Sequence, residues 1–479
     1  MSKTRKFKPH DFQVGAIAHL LKNKRAALWA KPGMGKTPMV LAALDTLAIL
    51  GEITTPVLVI ATKRIAERTW STEAAKWDDF KHLRVTPVMG NENQRLRALA
   101  TPSDIYTTNY EQIPWLVEHF GDAWPFSVIV ADESTKLKNL RCSLRVNKHG
   151  RFFLKGENGS NSRALALARV AFSKITHFWA LTGSPSANGL LDLWGQTFFL
   201  DNGERLGRTF GAFQSRWFER VMKHHNDKFG ELRPRQYAQD QITRRLSDLC
   251  YAIDPKDWFD LREPIHHRIE VDLPASVAKA YRQMQRDMFV EINNNGIEAF
   301  SASSMIMKCR QLASGTIYTG EGGGYEVAHT EKIQALSEIY NECGGVPLLV
   351  AYNFKSDREM LLSKLDGCVD IATPKGFEDF MSGKAKFGIG HPQSVGHGID
   401  GLQHITNVIV FYSSDFNLEY REQMLERIGP TRQFQGGYDR PVYVYDIVAV
   451  GTVDEMILNR VETKCSVQEA VFSAMKRLD

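Results

Sequence analysis

Residues 30 to 37 read Ala-Lys-Pro-Gly-Met-Gly-Lys-Thr, a glycine-rich loop that ends in Lys-Thr. The apolar run 26–30 leads into this loop, and the helix-favouring run 39–44 follows it. A strand, a loop and a helix in this order can bind phosphate, because backbone N–H groups and the helix N-terminus stabilise phosphate oxygens. The pattern predicts a nucleoside triphosphate site in which Lys36 reaches the β- and γ-phosphates and the Thr37 hydroxyl binds Mg²⁺.

Length and composition indicate a soluble globular protein. The 479 residues correspond to about three domains of ordinary size, and 43% of them are hydrophobic and 24% charged. The six cysteines are scattered without a Cys-x-x-Cys pair, which argues against a zinc site or a disulfide framework and fits a reducing compartment. No apolar run approaches the ~18 residues that span a bilayer, and the N-terminus lacks a secretory signal. We therefore expect a cytoplasmic protein without a membrane partner.

The first 200 residues alternate between strand-like and helix-like segments. Short apolar runs rich in β-branched residues predict buried parallel strands at 57–61, 128–131 and 178–182. Helical segments lie between them, for example at 65–77 and 164–172. This alternation predicts a doubly wound α/β domain.

Residues 201–330 break the alternation, since they are basic, aromatic and mostly helical by periodicity. Alternation resumes in 331–479, where Thr452 could cap a helix that runs through Val461. The strands predicted there are 347–352, 387–390, 408–411 and 442–448. The sequence thus predicts an α/β protein in which two parallel-sheet units, 1–200 and 331–479, flank a helical insertion.

The segment 205–245 is the most basic part of the chain, although the net charge of the whole is a modest +5. It contains ten Lys and Arg against four Asp and Glu. Aromatic residues are interleaved with these charges: Phe210, Phe213, Trp217, Phe218, Phe229 and Tyr237. Such a segment suits a polyphosphate partner, but its aromatic residues also suit the core of a small helical subdomain. Both interpretations can hold together.

An acidic pair, Asp132-Glu133, directly follows the predicted strand 128–131. Carboxylates at the C-terminal end of a parallel strand face the crevice where ligands bind. Asp132 would hold Mg²⁺, and Glu133 would orient and deprotonate the attacking water.

A small polar turn, residues 181–185, ends another predicted strand. This turn could sense the γ-phosphate and transmit its presence to the rest of the molecule. An ordinary strand-to-loop turn is the alternative.

Several segments of the first two thirds of the chain resemble ordered motifs of one family. Residues 8–13, Lys-Pro-His-Asp-Phe-Gln, are similar to the segment whose glutamine reads adenine. Residues 132–139 resemble the Asp-Glu motif with its trailing Lys-Asn, and 181–185 resemble the coupling motif. The segments 208–213 and 308–315 resemble the insertion and the linker.

The most specific match within the last third is at residues 391–400, which read His-Pro-x-Ser-x-Gly-His-Gly-Ile-Asp. Gln423 and Arg427, one helical turn apart, resemble the arginine-finger motif, and 451–455 resemble the start of the closing helix. The chain thus resembles the superfamily-two helicases of the Swi/Snf-type ATPase branch, and most of all the compact members encoded by phages, which would place it in the host cytoplasm.

The resemblance implies two RecA-like lobes with ATP and Mg²⁺ between them, and hydrolysis that moves one lobe along a nucleic acid. Thr37 and Asp132 would bind the metal. The residues expected to bind the nucleotide are Gln13, Gly33, Gly35, Lys36, Thr37, Gly398 and Asp400. The residues expected to act in catalysis are Lys36, Asp132, Glu133, Arg427 and Arg432.

One residue departs from the family pattern. A second arginine stands three positions after the first in the family, and here that position is Pro430, which would interrupt a helix. Either Arg432 is the second finger or the protein works with Arg427 alone. A surface helix arginine is the alternative for Arg427.

Contacts with nucleic acid are expected at strand ends, where hydroxyls, amides and backbone N–H groups can bind phosphates without reading bases, and in the basic segment. The residues are Thr62, Lys63, Thr108, Asn109, Tyr352, Asn353, Arg244 and Arg245.

The main functional hypothesis is an ATP-dependent translocase that moves on duplex or branched DNA as a monomer, independently of sequence. A conventional DNA or RNA helicase is the second hypothesis. A nucleic-acid clamp that uses ATP as a binding switch is the third. The sequence does not determine whether the protein prefers DNA or RNA, the polarity of its movement, or its protein partner.

Overall fold

The computed structural model describes residues 5–146, 152–157, 162–222, 231–294, 299–319, 324–395 and 399–475. The chain divides into two compact units, each with its own parallel sheet. The first unit comprises Met1–Trp258 with Ser466–Asp479, and the second comprises Phe259–Cys465.

The first unit is built on a seven-stranded sheet with the order β11-β1-β8-β5-β2-β4-β3, in which every described pair is parallel. The strands of this unit are β1 (Arg25–Ala30), β2 (Val57–Ala61), β3 (Val85–Pro87), β4 (Ile105–Asn109), β5 (Val128–Asp132), β6 (Cys142–Val146), β7 (Phe152–Gly156), β8 (His177–Thr182), β9 (Phe218–Val221), β10 (Glu231–Pro234) and β11 (Cys250–Ile253). The helices are α1 (Asp11–Lys22), α2 (Lys36–Ile49), α3 (Trp70–Lys76), α4 (Glu92–Ala100), α5 (Ile113–Phe120), α6 (Ser162–Ala171), α7 (Asp192–Asp201), α8 (Phe210–Trp217) and α9 (Ala238–Leu246).

Strand register brings three loops to one edge of this sheet. Ala180 of β8 is paired with Ala27 of β1 on one side and with Ala131 of β5 on the other. Because all three strands are parallel, their C-terminal ends lie next to each other. The loops that follow Ala30, Asp132 and Thr182 therefore begin at the same edge.

Residues 201–258 belong to the first unit, so the predicted boundary at residue 200 differs from the structure. The side chains of Phe213, Trp217 and Phe218 are buried in the core of this unit, and β11 pairs with β1 at the edge of the sheet. Apolar burial and strand pairing thus join this part of the predicted insertion to the first lobe.

The second unit has a six-stranded sheet with the order β12-β19-β18-β15-β17-β16, again with parallel pairs. Its strands are β12 (Ile265–Val271), β13 (Thr316–Thr319), β14 (Gly324–Val327), β15 (Leu348–Ala351), β16 (Cys368–Asp370), β17 (Phe387–Gly390), β18 (Val408–Phe411) and β19 (Tyr443–Ala449). The helices are α10 (Ala275–Asn294), α11 (Ala299–Ser314), α12 (Glu331–Glu342), α13 (Lys355–Lys364), α14 (Pro374–Met381), α15 (Pro392–Val395), α16 (Leu418–Leu425), α17 (Pro430–Gln435) and α18 (Val453–Met475).

The remainder of the predicted insertion, from residue 259 to residue 330, joins the second unit. Strand β12 pairs with β19, and Tyr281 of α10 and Leu312 of α11 lie in the second core. The insertion predicted between the two lobes is thus divided between the units, and its two halves complete the two α/β units.

A buried ion pair lies in the second unit. The Lys332 ammonium is 2.6 Å from the Asp454 carboxylate, both side chains are almost fully buried, and Lys332 also donates to the carbonyl oxygen of Tyr412. A buried charge is tolerated when it is paired and hydrogen-bonded, as it is here. Among the described residues, no helix is both long and apolar enough to cross a membrane.

Candidate nucleotide site and the second-lobe arginines

The phosphate loop has the strand–loop–helix structure that its motif requires. Strand β1 ends at Ala30 and α2 begins at Lys36, while Gly33 and Gly35 have φ angles of 85° and 78°. Such left-handed backbone favours glycine, and it lets the loop turn tightly before the helix. The Lys36 ammonium donates to the carbonyl oxygen of Ala30 at 2.6 Å, and Thr37 follows it in the first turn of α2. This first turn contains no acidic residue, so its N-terminal N–H groups suit an anion.

Gln13 lies against this loop. Its amide Nε2 donates to the carbonyl oxygen of Met34 at 3.2 Å, and its Oε1 accepts from the backbone N–H of His10. A Cβ atom at Gly35 would lie 2.5 Å from Gln13 Nε2, so a side chain at position 35 would displace this glutamine. The structure thus brings Gln13 to the phosphate loop, and its reading of the base stays a prediction.

Asp132 is a buried carboxylate at the end of β5. Burial raises the pKa of Asp132, and the Lys36 charge, the Trp70 indole and the Glu133 backbone N–H oppose this by favouring the ionised form. The indole Nε1 of Trp70 donates to Asp132 Oδ2 at 3.0 Å. The hydroxyl of Tyr110 donates to the Asp132 carbonyl oxygen. Side chain and backbone of Asp132 are therefore both fixed.

Glu133 adopts a left-handed conformation with φ 67°, which is uncommon for a residue other than glycine. Its Oε1 accepts from the Thr182 hydroxyl at 2.7 Å and from the Thr135 hydroxyl at 3.0 Å. Two hydroxyl donors thus hold the carboxylate that the sequence predicts to activate water.

The turn at 181–185 is connected to the acidic pair. The Thr182 hydroxyl donates to Glu133 and accepts from the backbone N–H of Ser184 at 3.0 Å. A Cβ atom at Gly183 would lie 2.9 Å from Pro32 Cδ, so this turn passes close to the phosphate loop. The predicted coupling turn therefore contacts both halves of the predicted phosphate site.

Gln196 of α7 closes this network. Its Nε2 donates to the carbonyl oxygen of Pro185 at 2.8 Å, and its Oε1 accepts from the Ser134 hydroxyl at 3.0 Å. Gln196 is buried, and the sequence analysis did not single it out. The sequence points to Gln196 only weakly, because a glutamine inside an apolar helix becomes notable only after the fold is known.

In the second lobe, two arginines converge on the segment that follows α15. The Arg427 guanidinium donates to the carbonyl oxygen of Ile399 at 2.9 Å, and Arg432 lies 3.1 Å from the Asp400 carboxylate. Pro430 is the first residue of α17. This position suits proline, because a backbone N–H there would have no partner within the helix. Pro430 thus starts a second short helix and places Arg432 in its first turn. Gly398 lies outside the described residues.

The fit of Mg²⁺ can be judged from the donor set. A hydroxyl at Thr37 and a carboxylate at Asp132 are oxygen ligands of the kind that Mg²⁺ prefers, with nucleotide phosphates completing its coordination. The Lys36 charge opposes the rise in the pKa of Asp132, and both residues follow strands that end at the same edge of the sheet. These residues fit a nucleotide-bound Mg²⁺.

Comparison with known proteins places this site in a family. The model of the SNF2-related domain matches residues 14–150. Putative protein p41 of Acyrthosiphon pisum secondary endosymbiont phage 1 is 42% identical over 473 residues, which cover 98% of this chain and 99% of that protein. The chain belongs to the SNF2-related family. It is a Swi/Snf-type ATPase of helicase superfamily two, a group of nucleic-acid-dependent ATPases.

More distant relatives of this SNF2-related ATPase are larger. The ATP-dependent DNA helicase DDM1 of Arabidopsis thaliana is 22% identical over 491 residues, covering 92% of this chain and 58% of that protein. The chain therefore spans little more than half of that relative. Among solved structures, the Sulfolobus solfataricus SWI2/SNF2 ATPase core in complex with double-stranded DNA is 19% identical, with a TM-score of 0.43 over 99% of this chain and 95% of that one.

In the first lobe, the residues predicted to contact nucleic acid differ in how exposed they are to solvent. Lys63 is exposed, while the hydroxyl of the neighbouring Thr62 is buried without a hydrogen-bond partner among the described residues. Thr108 is fully buried, and its hydroxyl donates to the carbonyl oxygen of Val88. The Thr108 side chain thus has a packing role, and contact of Thr108 with nucleic acid stays a prediction.

Asn109, the next residue, is also buried. Its amide donates to the Glu111 carboxylate at 2.8 Å, and its Oδ1 has no partner among the described residues. In the basic segment, Arg244 is exposed, whereas Arg245 donates to the carbonyl oxygen of Arg205. Arg244 is therefore better placed than Arg245 to meet a phosphate.

In the second lobe, Tyr352 is buried, and this burial raises the pKa of Tyr352 to about 12. The Asn353 amide donates to the carbonyl oxygen of Ser413 at 2.6 Å, and the Asn353 backbone N–H donates to the Ser413 hydroxyl. Both predicted contact residues thus have internal roles, and any contact with nucleic acid stays a prediction.

Proposed function

We propose that this SNF2-related protein is an ATP-dependent translocase. It moves on duplex DNA independently of sequence and remodels DNA or protein–DNA complexes in replication, recombination or repair. ATP and Mg²⁺ are its proposed cofactors. Since a 42% identical relative is a phage protein, the proposed place of action is the cytoplasm of a bacterial host.

One observation carries the ATPase part of the proposal: Lys36, Asp132, Glu133 and Thr182 follow three adjacent parallel strands at one edge of the first sheet, and Thr182 donates a hydrogen bond to Glu133. Phosphoryl transfer needs positioning and neutralisation of charge more than covalent chemistry. Lys36 supplies a cation for the phosphates, and Glu133 supplies a carboxylate that can orient water and accept its proton.

The metal would supply charge neutralisation on the phosphates when it is bound, held by Thr37 and Asp132. The chain itself fixes the second of these ligands through Trp70 and the backbone N–H of Glu133. Because this orientation exists before the metal arrives, little reorganisation is needed when it binds.

The second lobe contributes arginines to the proposed reaction. Arg427 and Arg432 would stabilise charge on the leaving phosphate, a contribution that can reach several orders of magnitude in rate. In the structure Arg432 is paired with Asp400, whose side chain is 70% exposed. An ion pair this exposed is weak, so Arg432 can exchange Asp400 for a phosphate at low cost.

Two features support DNA as the polymer. The Arabidopsis relative is described as a DNA helicase, and the exposed cations Lys63 and Arg244 follow a strand end and lie in the basic segment of this chain. Cations bind phosphates without reading bases, which supports sequence-independent contact.

The test is a set of ATPase and displacement assays on the purified protein. Hydrolysis is measured with duplex DNA, single-stranded DNA and RNA, and each is followed by triplex-strand displacement and tailed-duplex unwinding. The proposal expects duplex stimulation and triplex displacement without unwinding. Unwinding from a tail would instead identify a conventional helicase, and DNA binding tightened by ATP without stimulated turnover would identify a clamp. Lys36→Ala, which lacks the phosphate-binding cation, is the inactive control.

A further inference from the structure

Trp70 lies beside the predicted metal ligand. Its indole ring is fully buried at the start of α3, and its Nε1–H donates to Asp132 Oδ2 at 3.0 Å. An indole N–H can donate but cannot accept, and a hydrogen bond to a carboxylate is stronger than one between neutral groups. This contact therefore selects one orientation of the Asp132 side chain.

The helical segment that carries Trp70 begins at the exposed Lys63, one residue after β2 ends. Its next residues, Ile65–Thr69, form a π-helical turn, a feature that is rare and is often found at functional sites. The Thr107 hydroxyl of β4 donates to the carbonyl oxygen of Ala66 and ties this turn to the sheet. A continuous helical segment thus joins Lys63 to Trp70.

We propose that Trp70 is a positioning residue that holds Asp132 for Mg²⁺ and couples this carboxylate to Lys63 at the start of the same helical segment. The coupling part rests on the proposed function, since it requires that Lys63 contact DNA. A strand bound at Lys63 would displace the start of the helical segment and move the indole N–H relative to Asp132. By linkage, DNA would then change the affinity for the Mg²⁺–nucleotide complex, and that complex would change the affinity for DNA by the same factor.

The chain offers a matched control at Trp77, the residue that directly follows α3. The indole of Trp77 also donates to a carboxylate, that of Glu73, at 2.8 Å. Trp70→Phe and Trp77→Phe therefore make the same chemical change, the loss of an indole–carboxylate hydrogen bond. Only the first of them touches the predicted metal ligand.

The first measurement is equilibrium binding of a fluorescent ADP derivative, with Mg²⁺ and with EDTA. Loss of a group that orients a metal ligand typically weakens metal affinity by 10- to 100-fold. Trp70→Phe should lower the apparent Mg²⁺ affinity by about tenfold and leave binding in EDTA unchanged, whereas Trp77→Phe should match the wild type in both. Equal Mg²⁺ dependence in the wild type and in a folded Trp70→Phe protein would overturn the proposal.

The second measurement tests the coupling. The affinity for Mg²⁺–ADP is determined with and without duplex DNA, and the ratio in the wild type is expected to be about fivefold or more. This ratio should approach one in Trp70→Phe and persist in Trp77→Phe. A ratio that persists in Trp70→Phe overturns the role of Trp70 and leaves the proposed function intact. A wild-type protein whose ATP hydrolysis does not respond to DNA contradicts the proposed function instead.

A measurement on the wild type guards against a Trp70→Phe protein that fails to fold. Nitrogen-15 spectra of indole-labelled protein report the nine tryptophan N–H groups, and Mn²⁺–ADP in place of Mg²⁺–ADP broadens signals near the metal. The proposal expects at least one indole signal to broaden at substoichiometric Mn²⁺. If none of the nine broadens while the nucleotide is bound, no indole lies beside the metal and the proposal fails.

Discussion

Glu133 is held in a backbone conformation that few residues other than glycine adopt. Its φ of 67° costs about 1–3 kcal/mol for such a residue. The surrounding hydrogen bonds from Thr182 and Thr135 fix the carboxylate in place. Strain retained at this position is consistent with a catalytic role, because it orients the side chain before the substrate binds.

The Glu133→Gln variant separates binding from hydrolysis. Glutamine retains an oxygen that can accept from Thr182 but lacks the charge that accepts a proton from water. We expect nucleotide affinity close to that of the wild type and a kcat lower by about 100-fold or more, measured by single-turnover hydrolysis and equilibrium binding. Glu111→Gln, at an exposed carboxylate paired with Arg163 in the same unit, is the control. Hydrolysis at the wild-type rate would move the role of base to another residue.

Asp357 makes stability depend on pH. Burial raises the pKa of Asp357 from about 3.9 to about 6, while hydrogen bonds from the Ser413 hydroxyl and the Phe354 N–H and the charge of Lys332 oppose the shift. Since the folded state binds the proton more tightly, the stabilisation is complete below pH ~4 and is lost as the pH rises through ~6. The total change is about 3 kcal/mol.

Asp357→Asn should remove this dependence. The asparagine oxygen can accept the same hydrogen bonds, and the neutral side chain has no charge to desolvate. We expect the free energy of unfolding of the second unit, measured in urea, to vary less between pH 4 and pH 6 in the variant than in the wild type. At pH 7.5 the variant should be as stable as the wild type or more stable. Asp439→Asn, whose side chain is 82% exposed, should keep the wild-type profile. A variant profile that parallels the wild type across this range would contradict the assignment.

Among single residues, the sequence predicted those whose position follows from chain order. Lys36 and Asp132 follow strands of one sheet, so their proximity was predictable. Trp70 and Gln196 were missed, because each meets its partner across 62 residues of sequence through a specific helix orientation. The packing role of the Thr108 hydroxyl was not predictable either, because it follows from the burial of β4 on both faces.

At the scale of elements, Pro430 changes the meaning of the arginine-finger motif. The helix that carries Gln423 ends at Leu425, and Pro430 begins the next one. The sequence predicted an interruption there, and the structure confirms it. The direction of Arg432 was not predictable, because it depends on the turn between the two helices.

Arg432→Ala tests which arginine acts in hydrolysis. We expect kcat to fall by about tenfold or more, with a change in unfolding free energy below about 1 kcal/mol, because the pair with exposed Asp400 is weak. The measurement is DNA-stimulated ATP hydrolysis together with thermal unfolding. Arg262→Ala, which removes an exposed arginine paired with Asp439 in the same unit, serves as the comparison. An unchanged kcat would leave Arg427 as the single candidate finger.

At the scale of the whole molecule, alternation of strands and helices predicted two parallel sheets, and both are present. The boundary between the units was not predictable in the same way. Strands β11 and β12 belong to different sheets but are separated by few residues. Local periodicity shows that a segment is a strand, whereas the sheet that it joins depends on pairing with residues far along the chain. One of two interpretations assigned the aromatic residues of the basic segment to the core of a small helical subdomain; Phe213 and Trp217 are core residues, but of the whole first unit.

The same segment allows a charge test on the whole molecule. Arg244 is exposed and Arg245 is tied to the carbonyl oxygen of Arg205, so the two residues should respond differently. Arg244→Gln is expected to weaken duplex DNA binding and to reduce the slope of log K against log salt by about 0.9, the value for one phosphate contact. Arg245→Gln should mainly lower thermal stability and have little effect on this slope. Arg84→Gln, which removes an exposed charge paired with Asp104 in the same unit, controls for net charge. Loss of net charge alone would change the slope equally at Arg84 and Arg244. A slope that changes at neither position would leave the basic segment with its structural role alone.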